Sequence, residues 1–374
     1  MLFVTPELSD QEKEVVGEIE ESRRGLNHML REPPRWYGPL RRTAFARNIQ
    51  ASNSIEGYNV SLEDAVAAVA GEQPSEATDE DWNAVRNYWD AMTYIIQLAN
   101  DTHFRHTEAL IRSLHYMMMK HDFAAAPGLF RPGSVFVWSA ATQEVVYEGP
   151  DFELVPSLLQ ELVDDLNADH SDTPPLVRAG MAHLNLVMIH PFRDGNGRMA
   201  RALQTLVLAR DLILAPEFSS IEEYLGRNTP AYYEVLGEVG GGSWHPERET
   251  RPWVRFVLLA HHRQALTFAR RIRETERLWE AIDHLAQERG IDERNLGTLY
   301  NAAVGFKIRR SEHIAYAEVS ERVGTADLKR LVDMDLLVPV GERRGRYYLT
   351  GDELRGLREK TREPKEPLTN PFAA

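Results

Sequence analysis

The 374-residue chain contains no cysteine. That excludes disulfides, thiolate metal sites and cysteine nucleophiles, and it removes any need for an oxidising compartment. No apolar run approaches the ~20 residues needed to span a bilayer, so no membrane partner is expected. The start, Met1-Leu2-Phe3-Val4, turns acidic by Glu7 and lacks the basic and apolar regions of a signal peptide, so a cytoplasmic location is the expectation. Lysine is scarce, 6 residues against 37 arginines. Such a bias suits phosphate or nucleic-acid contacts, but genomic codon usage is the favoured account of it. Acidic side chains outnumber basic ones, 57 to 43, for a net charge of −14. Residues 281–374 hold 16 of each sign, so residues 1–280 carry the whole excess. An acidic body of that kind repels nucleic acid non-specifically.

Apolar residues recur at i, i+3 and i+4 over Gln11–Leu30, Arg42–Glu56, Ser61–Ala70, Asp79–Leu98, His106–Met119, Phe152–Leu166 and Leu176–Ile189. They do so again over Arg198–Leu212 and Trp253–Ile282. These spacings predict helices. The period changes after Pro132-Gly133, where Ser134–Trp138 and Gln143–Tyr147 read as two short strands of a hairpin, a lid or a docking strand. Gly237-Glu238-Val239-Gly240-Gly241-Gly242 follows a helix and reads as a flexible turn. A length beyond one usual domain predicts two. The expected division is a helical region over 1–105, a core over 106–285, a small domain over 290–360 and a loose tail over 361–374. In the small domain a helix ends at Gly324, a second starts at Thr325 and runs to Leu337, and a strand–turn–strand follows through Tyr347-Tyr348-Leu349. That is the winged-helix order.

The densest chemistry is His190-Pro191-Phe192-Arg193-Asp194-Gly195-Asn196-Gly197-Arg198-Met199-Ala200-Arg201, a tight loop entering a helix. Gly195 and Gly197 would allow positive φ and close approach of a ligand. Their N–H groups and that of Asn196 would point from a helix start, which favours anions. Arg198 and Arg201, three apart, suit separate oxygens of a polyphosphate. Asp194 beside a phosphate argues for a bridging Mg²⁺. His190 stands where it could take a proton from a nucleophile. A calcium loop starting at Asp194 fails because its bidentate-glutamate position is Thr205, and neither a P-loop nor a His-Glu-x-x-His pair is present.

Residues 190–201 resemble the signature of the Fic family, His-Pro-Phe-x-Asp/Glu-Gly-Asn-Gly-Arg-x-x-Arg, at every defined position. The similarity runs over roughly residues 35–265, through Gly128-Leu129-Phe130-Arg131 and Asn228-Thr229-Pro230-Ala231-Tyr232-Tyr233. The resemblance implies an all-α fold, a helical core with a small hairpin flap, here followed by the winged-helix domain. It implies transfer of AMP from ATP to a hydroxyl of a target protein or of the chain itself. His190 would be the general base and Asp194 the Mg²⁺ holder. Asn196 and the flanking glycine N–H groups would bind phosphates, with Arg198 and Arg201 on the β- and γ-phosphates. Val135, Phe136, Val137 and Trp138 would be the flap that aligns the target as an added strand. Tyr232 and Tyr233 would border the base, although ordinary helix packing accounts for them as well. Gly197, where a phosphorylating branch has lysine, favours nucleotidyl transfer. Relatives imply a homodimer.

Upstream, Ser52-Asn53-Ser54-Ile55-Glu56-Gly57 places Ser52 and Glu56 on one helical face, with Gly57 fit to end the helix. The segment resembles the family's inhibitory pattern Ser/Thr-x-x-x-Glu-Gly/Asn. That implies a Glu56–Arg201 pair that occupies the γ-phosphate's partner, or a glutamate that orients water to reverse the modification. A different expectation makes the chain a winged-helix DNA regulator with a nucleotide-sensing body. It is not favoured, because Thr325–Leu337 sets Asp327, Asp333 and Asp335 against Lys329 and Arg330, although Arg343, Arg344 and Arg346 enrich the wing.

Overall fold

The computed structural model describes residues 1–30, 35–70, 77–138, 144–170, 172–211, 213–342, 346–364 and 369–373. Gln143, Arg343 and Arg344 lie outside them, as does the side chain of Trp138. The chain divides into two compact units, one of residues 1–29, 44–266 and 368–374, the other of residues 30–43 and 267–367.

The first unit follows the apolar spacing closely. Its helices are α1 (Asp10–Leu30) up to Met29, α2 (Tyr37–Ile55) from Ala44 onward, α3 (Leu62–Ala70), α4 (Asp79–Ala99), α5 (Glu108–Met119), α6 (Val155–Asn167), α7 (Pro175–Ile189) and α8 (Asn196–Ala209). They continue with α9 (Pro216–Ser219), α10 (Glu222–Arg227), α11 (Thr229–Gly240) and the start of α12 (Arg251–Glu288). Caps explain several starts. Thr78 and Thr107 accept N–H bonds from Asp81 and Leu110, and Ser61 Oγ accepts from Asp64 N at 3.0 Å. α7 and α8 are buried along nearly their whole length and form the centre of the core with α4. Helices buried all round require apolar residues on every side, and Leu184, Leu186, Leu203 and Leu206 supply them.

The hairpin forms, from β1 (Phe136–Trp138) and β2 (Val145–Glu148), antiparallel with a bulge at Val137/Trp138. It is not isolated. β3 (Gly242–Ser243) pairs in parallel with β2, giving the order β1-β2-β3. The glycine-rich segment expected to be a flexible turn is instead the end of α11, the left-handed cap Gly241 (φ +55) and this strand. Tyr147 anchors the sheet, its hydroxyl donating to Met188 O at 2.8 Å.

The second unit holds the rest of α12, then α13 (Leu296–Val304), β4 (Ile308–Arg309), α14 (Arg310–Ala317), α15 (Glu321–Asp333), β5 (Leu337–Val340), β6 (Tyr347–Thr350) and α16 (Asp352–Thr361). Its sheet has the order β4-β6-β5. The helix expected to begin at Thr325 begins at Glu321, capped by Ser320, and Gly324 lies inside it rather than ending its predecessor. The glycine is there for packing. A Cβ at Gly324 would stand 2.6 Å from Ile314 Cγ1, so α14 and α15 approach where only hydrogen fits. The tail read as loose is held where described: Glu363 pairs with Arg273 and Arg277, and Phe372 packs against the core of the first unit.

Four histidines of the first unit are buried and held neutral. Burial lowers His106 and His115 to about 4, and His183 and His261 to about 3. Unfolded, each takes up a proton near 6.5, so the unfolded state binds more protons as pH falls. Stability is therefore expected to drop between pH 6.5 and 4, by up to about 1.4 kcal/mol per pH unit for each histidine. Melting curves across that range check this; a midpoint that is flat or rises towards pH 4 contradicts it.

Candidate active site

α7 ends at His190, which turns into the left-handed conformation (φ 52) while its N–H reaches Leu186 O at 3.0 Å. The chain then loops to Gly195 and enters α8. Asn196 pins the loop from inside: its Oδ1 accepts from Phe192 N and its Nδ2 donates to Phe192 O, both at 2.9 Å. Its side chain is thus committed to the loop, and what it can offer a ligand is its N–H at the helix start. Gly195 takes φ +75, and a Cβ there would meet Met119 Sδ at 2.8 Å. Gly197 differs from expectation, for it has no positive φ. Its reason is spatial: a Cβ would fall 2.4 Å from Glu56 Oε1. The Glu56 carboxylate lies directly against the start of α8.

His115 supports the loop and was not evident in the sequence. Its ring stacks on Phe192 at 3.7 Å, Gly128 N–H donates to its Nδ1 at 2.9 Å, and its Nε2–H therefore donates to Asp194 O at 2.9 Å. Asp194 spends Oδ1 on Gly195 N–H at 2.7 Å, and Oδ2 sits 3.8 Å from Arg198 in a half-exposed side chain. Among the described residues no cluster of three or more His, Asp or Glu could cage a metal.

The two motif arginines are fully buried. Arg201 donates Nε–H to Ser52 Oγ at 2.8 Å, and Nη2–H to Ser52 O at 2.9 Å and to Glu56 Oε1 at 2.6 Å. Burial, the largest single influence, pulls the Arg201 pKa down, but the charge and hydrogen bond of Glu56 together with Tyr232 and Tyr88 push it up overall. Arg198 is differently placed. Nη2 meets Met119 Sδ at 2.9 Å, its guanidinium lies 4.8 Å from the Tyr58 ring centre, and Nε and Nη1 have no hydrogen-bond partner. Behind Arg201, Tyr88 donates to Glu222 at 2.5 Å, and burial raises that carboxyl to about 7.

His190 is partly buried, which lowers its pKa and keeps the imidazole neutral. Its Nδ1 faces Val187 O at 3.1 Å and must be the donor, which leaves the Nε2 lone pair basic. Arg131, whose tetrapeptide the sequence drew attention to without a role, fixes this arrangement. It donates Nε–H to His190 O at 2.8 Å, Nη1–H to Gly133 O at 2.6 Å and Nη2–H to Pro150 O at 2.5 Å. One buried guanidinium thus ties the loop to both ends of the hairpin. In the hairpin, Val135 O accepts from Gly149 N, Phe136 is exposed, Val137 is half-buried, and Trp138 pairs with Val145. β1 is the sheet's edge among the described residues.

The tyrosines separate. Tyr232 is interior, 1% exposed, its hydroxyl 2.9 Å from His183 Nε2, and its ring is packed with Trp253 and Phe256. Its ring is helix packing, and its side chain also interacts with Arg201. Tyr233 is about half exposed, and its hydroxyl reaches Ile55 O at 3.4 Å. Gly57 follows α2 with φ +88, as expected of a residue that ends the helix.

Comparison with known proteins agrees with this geometry. The family model described as Fic/DOC family matches residues 105–208. A protein adenylyltransferase Fic of Nematostella vectensis is 28% identical over 261 residues, 67% of this chain and 55% of that protein. Protein adenylyltransferase fic-1 of Caenorhabditis elegans is 37% identical over 114 residues, 30% of this chain and 20% of that one. The chain thus spans about half, or less, of the length of the curated relatives it matches. Among solved structures, a Fic family protein from Desulfovibrio desulfuricans G20 superposes with a TM-score of 0.60 at 22% identity, covering 93% of this chain and 98% of that one. Fic-1 (residues 134–508) from C. elegans gives 0.53 at 24%, covering 69% and 72%. Residues 105–208 thus form a Fic/DOC family domain within this chain.

Proposed function

We propose that the chain is a protein adenylyltransferase held in check by Glu56. The observation that carries this is the α8 start: a pinned loop, free first-turn N–H groups, two buried arginines and a neutral histidine converge on one point, and a carboxylate already sits there. An ATP triphosphate placed on the helix start would meet Arg198 and Arg201 with its β- and γ-phosphates. A target hydroxyl attacks the α-phosphorus, the new P–O bond forms, the α–β bond breaks and pyrophosphate leaves. The hydroxyl proton goes to His190 Nε2. Asp194 Oδ2, exposed and not committed to the loop, would be the protein oxygen that holds Mg²⁺, a cation that one carboxylate suffices to anchor beside a phosphate. Bound there, the ion would neutralise phosphate charge. Tyr233, rather than Tyr232, is left to border the base. The open edge of β1 suits a target segment added as a strand, and the target protein enters by that edge. The relatives' names, protein adenylyltransferase, support the adenylyl donor.

Incubation of Glu56→Gly with each nucleoside triphosphate and Mg²⁺, followed by intact-mass measurement, tests the chemistry. A gain of AMP is expected; a gain of phosphate alone would refute it.

A second reading concerns the unit of residues 30–43 and 267–367, which we infer to be a winged helix that contacts duplex DNA. Of the three acids set against it, Asp327 turns inward, where Arg294 holds it through Nε and Nη2 at 2.8 Å each and His313 lies at 3.5 Å, while Asp333 and Asp335 stay exposed. The exposed face of α15 then carries Arg322, Thr325 and Lys329 at i, i+3 and i+7. By composition this unit has 24 basic and 20 acidic residues, so the acidity belongs to the other unit. Mobility-shift assays at low salt should show duplex binding that weakens as salt rises and that Arg322→Glu with Lys329→Glu removes. Salt-independent or absent binding discards this reading.

A further inference from the structure

We propose that Tyr58 is a second latch on the phosphate site, sealing Arg198 as Glu56 seals Arg201. The inference rests on reading the start of α8 as a nucleotide site, and it deepens the regulation of that site. Arg198 is entirely buried, yet its Nε and Nη1 have no partner. Burying two charged donors unsatisfied is unfavourable, so the state drawn here is one that an oxyanion would relieve. The neighbours that close the guanidinium off are Met119 Sδ at 2.9 Å, Asp194 Oδ2 at 3.8 Å and the Tyr58 ring at 4.8 Å. Met119 belongs to the core, and Asp194 belongs to the motif loop itself. Tyr58 belongs to neither.

Tyr58 follows Gly57, whose φ of +88 reverses the chain, and its N–H returns to Asn53 O at 3.1 Å. The ring is half-buried and packs edge-on against His121 at 5.9 Å. The segment Ser52–Tyr58 therefore grips both arginines: Ser52 and Glu56 hold Arg201 through polar atoms, and Tyr58 covers Arg198 with an aromatic ring that attracts the cation while its Nε and Nη1 stay without a hydrogen-bond partner. Phosphate can reach Arg198 only after the ring moves aside. The two halves of the grip act on different phosphates, Tyr58 on the one served by Arg198 and Glu56 on the one served by Arg201.

Titration of the full chain with Mg²⁺ and ATP, ADP or AMP separates them. Tyr58→Ala should tighten both ATP and ADP by about three- to tenfold and leave AMP unchanged. Glu56→Gly should favour ATP over ADP. Tyr58→Phe keeps the ring and should bind like the unaltered chain. If Tyr58→Ala merely loosened the inhibitory turn, it would tighten ATP more than ADP, as Glu56→Gly does, and the proposal fails. It fails also if ADP affinity is unchanged or weakened, or if Tyr58→Phe behaves as Tyr58→Ala. A Glu56→Gly protein that binds no nucleotide overturns the site reading itself. A Glu56→Gly protein that binds ATP, beside a Tyr58→Ala protein with unaltered ADP affinity, overturns the latch alone.

Discussion

Glu56→Gly is expected to raise incorporation of label from α-labelled ATP into the chain by roughly 10- to 100-fold, the equivalent of about 1.4–2.8 kcal/mol. The argument starts from the pair itself. Arg201 has a 1% exposed side chain and Glu56 a 20% exposed one, with 2.6 Å between Nη2 and Oε1. On the proposed function a γ-phosphate would need the same nitrogen and, because the carboxylate also lies against Gly197, the same space. ATP must therefore break a largely desolvated ion pair before it can settle in line for attack, and such pairs resist breaking because the abandoned charge stays buried. Glycine removes the competitor and the obstruction together. The same change should cost stability without nucleotide, on the order of 1–3 kcal/mol, because the buried Arg201 then loses its Glu56 carboxylate while keeping its Ser52 bonds. Mg·ATP should restore much of it, since a ligand that binds only the folded form stabilises it. Labelling that stays at the level of the unaltered chain would sink the autoinhibition. Labelled protein that loses AMP faster when Glu56 is present would instead assign the glutamate to the reverse reaction.

How much of this the sequence disclosed depends on the range over which each residue acts. Helices set by local apolar period were legible, and so was the α8 motif, because its working groups are neighbours in the chain. The Glu56–Arg201 contact spans 145 positions. Only a resemblance could pair them; spacing could not. Gly197 was misread for the same reason, since its constraint is a carboxylate from α2 and not its own φ. His115 and Arg131 escaped because each acts through backbone atoms of distant loops, Asp194 O, His190 O and Pro150 O, which no side-chain pattern advertises. Tyr232 carries the opposite lesson: a polar ring beside a motif residue is as ready to fill a core as to line a site, and its bond to His183 places it in the core. Asp327 shows that counting charges along a helix says nothing about which ones face water.

His190→Ala, placed in the Glu56→Gly background so that activity is measurable, is expected to lower transfer by roughly 10²–10⁴-fold, the usual contribution of a positioned base. ATP affinity should change little, because no phosphate contact is assigned to the ring. The pH profile gives the sharper check. The base works only when neutral, and burial, the largest influence, holds its pKa below 6.5, with the Val187 bond partly opposing and Arg131 lowering it further. Glu56 and Asp194 act the other way and raise it. The rate should therefore be level above pH 6.5 and fall in acid with a midpoint below that value. Removing Glu56 takes away one raising charge, so the midpoint in the Glu56→Gly protein should lie lower still in the free enzyme. The acid limb belongs to His190 only if it vanishes from the residual rate of His190→Ala. A limb that persists with the same midpoint assigns the proton to another group.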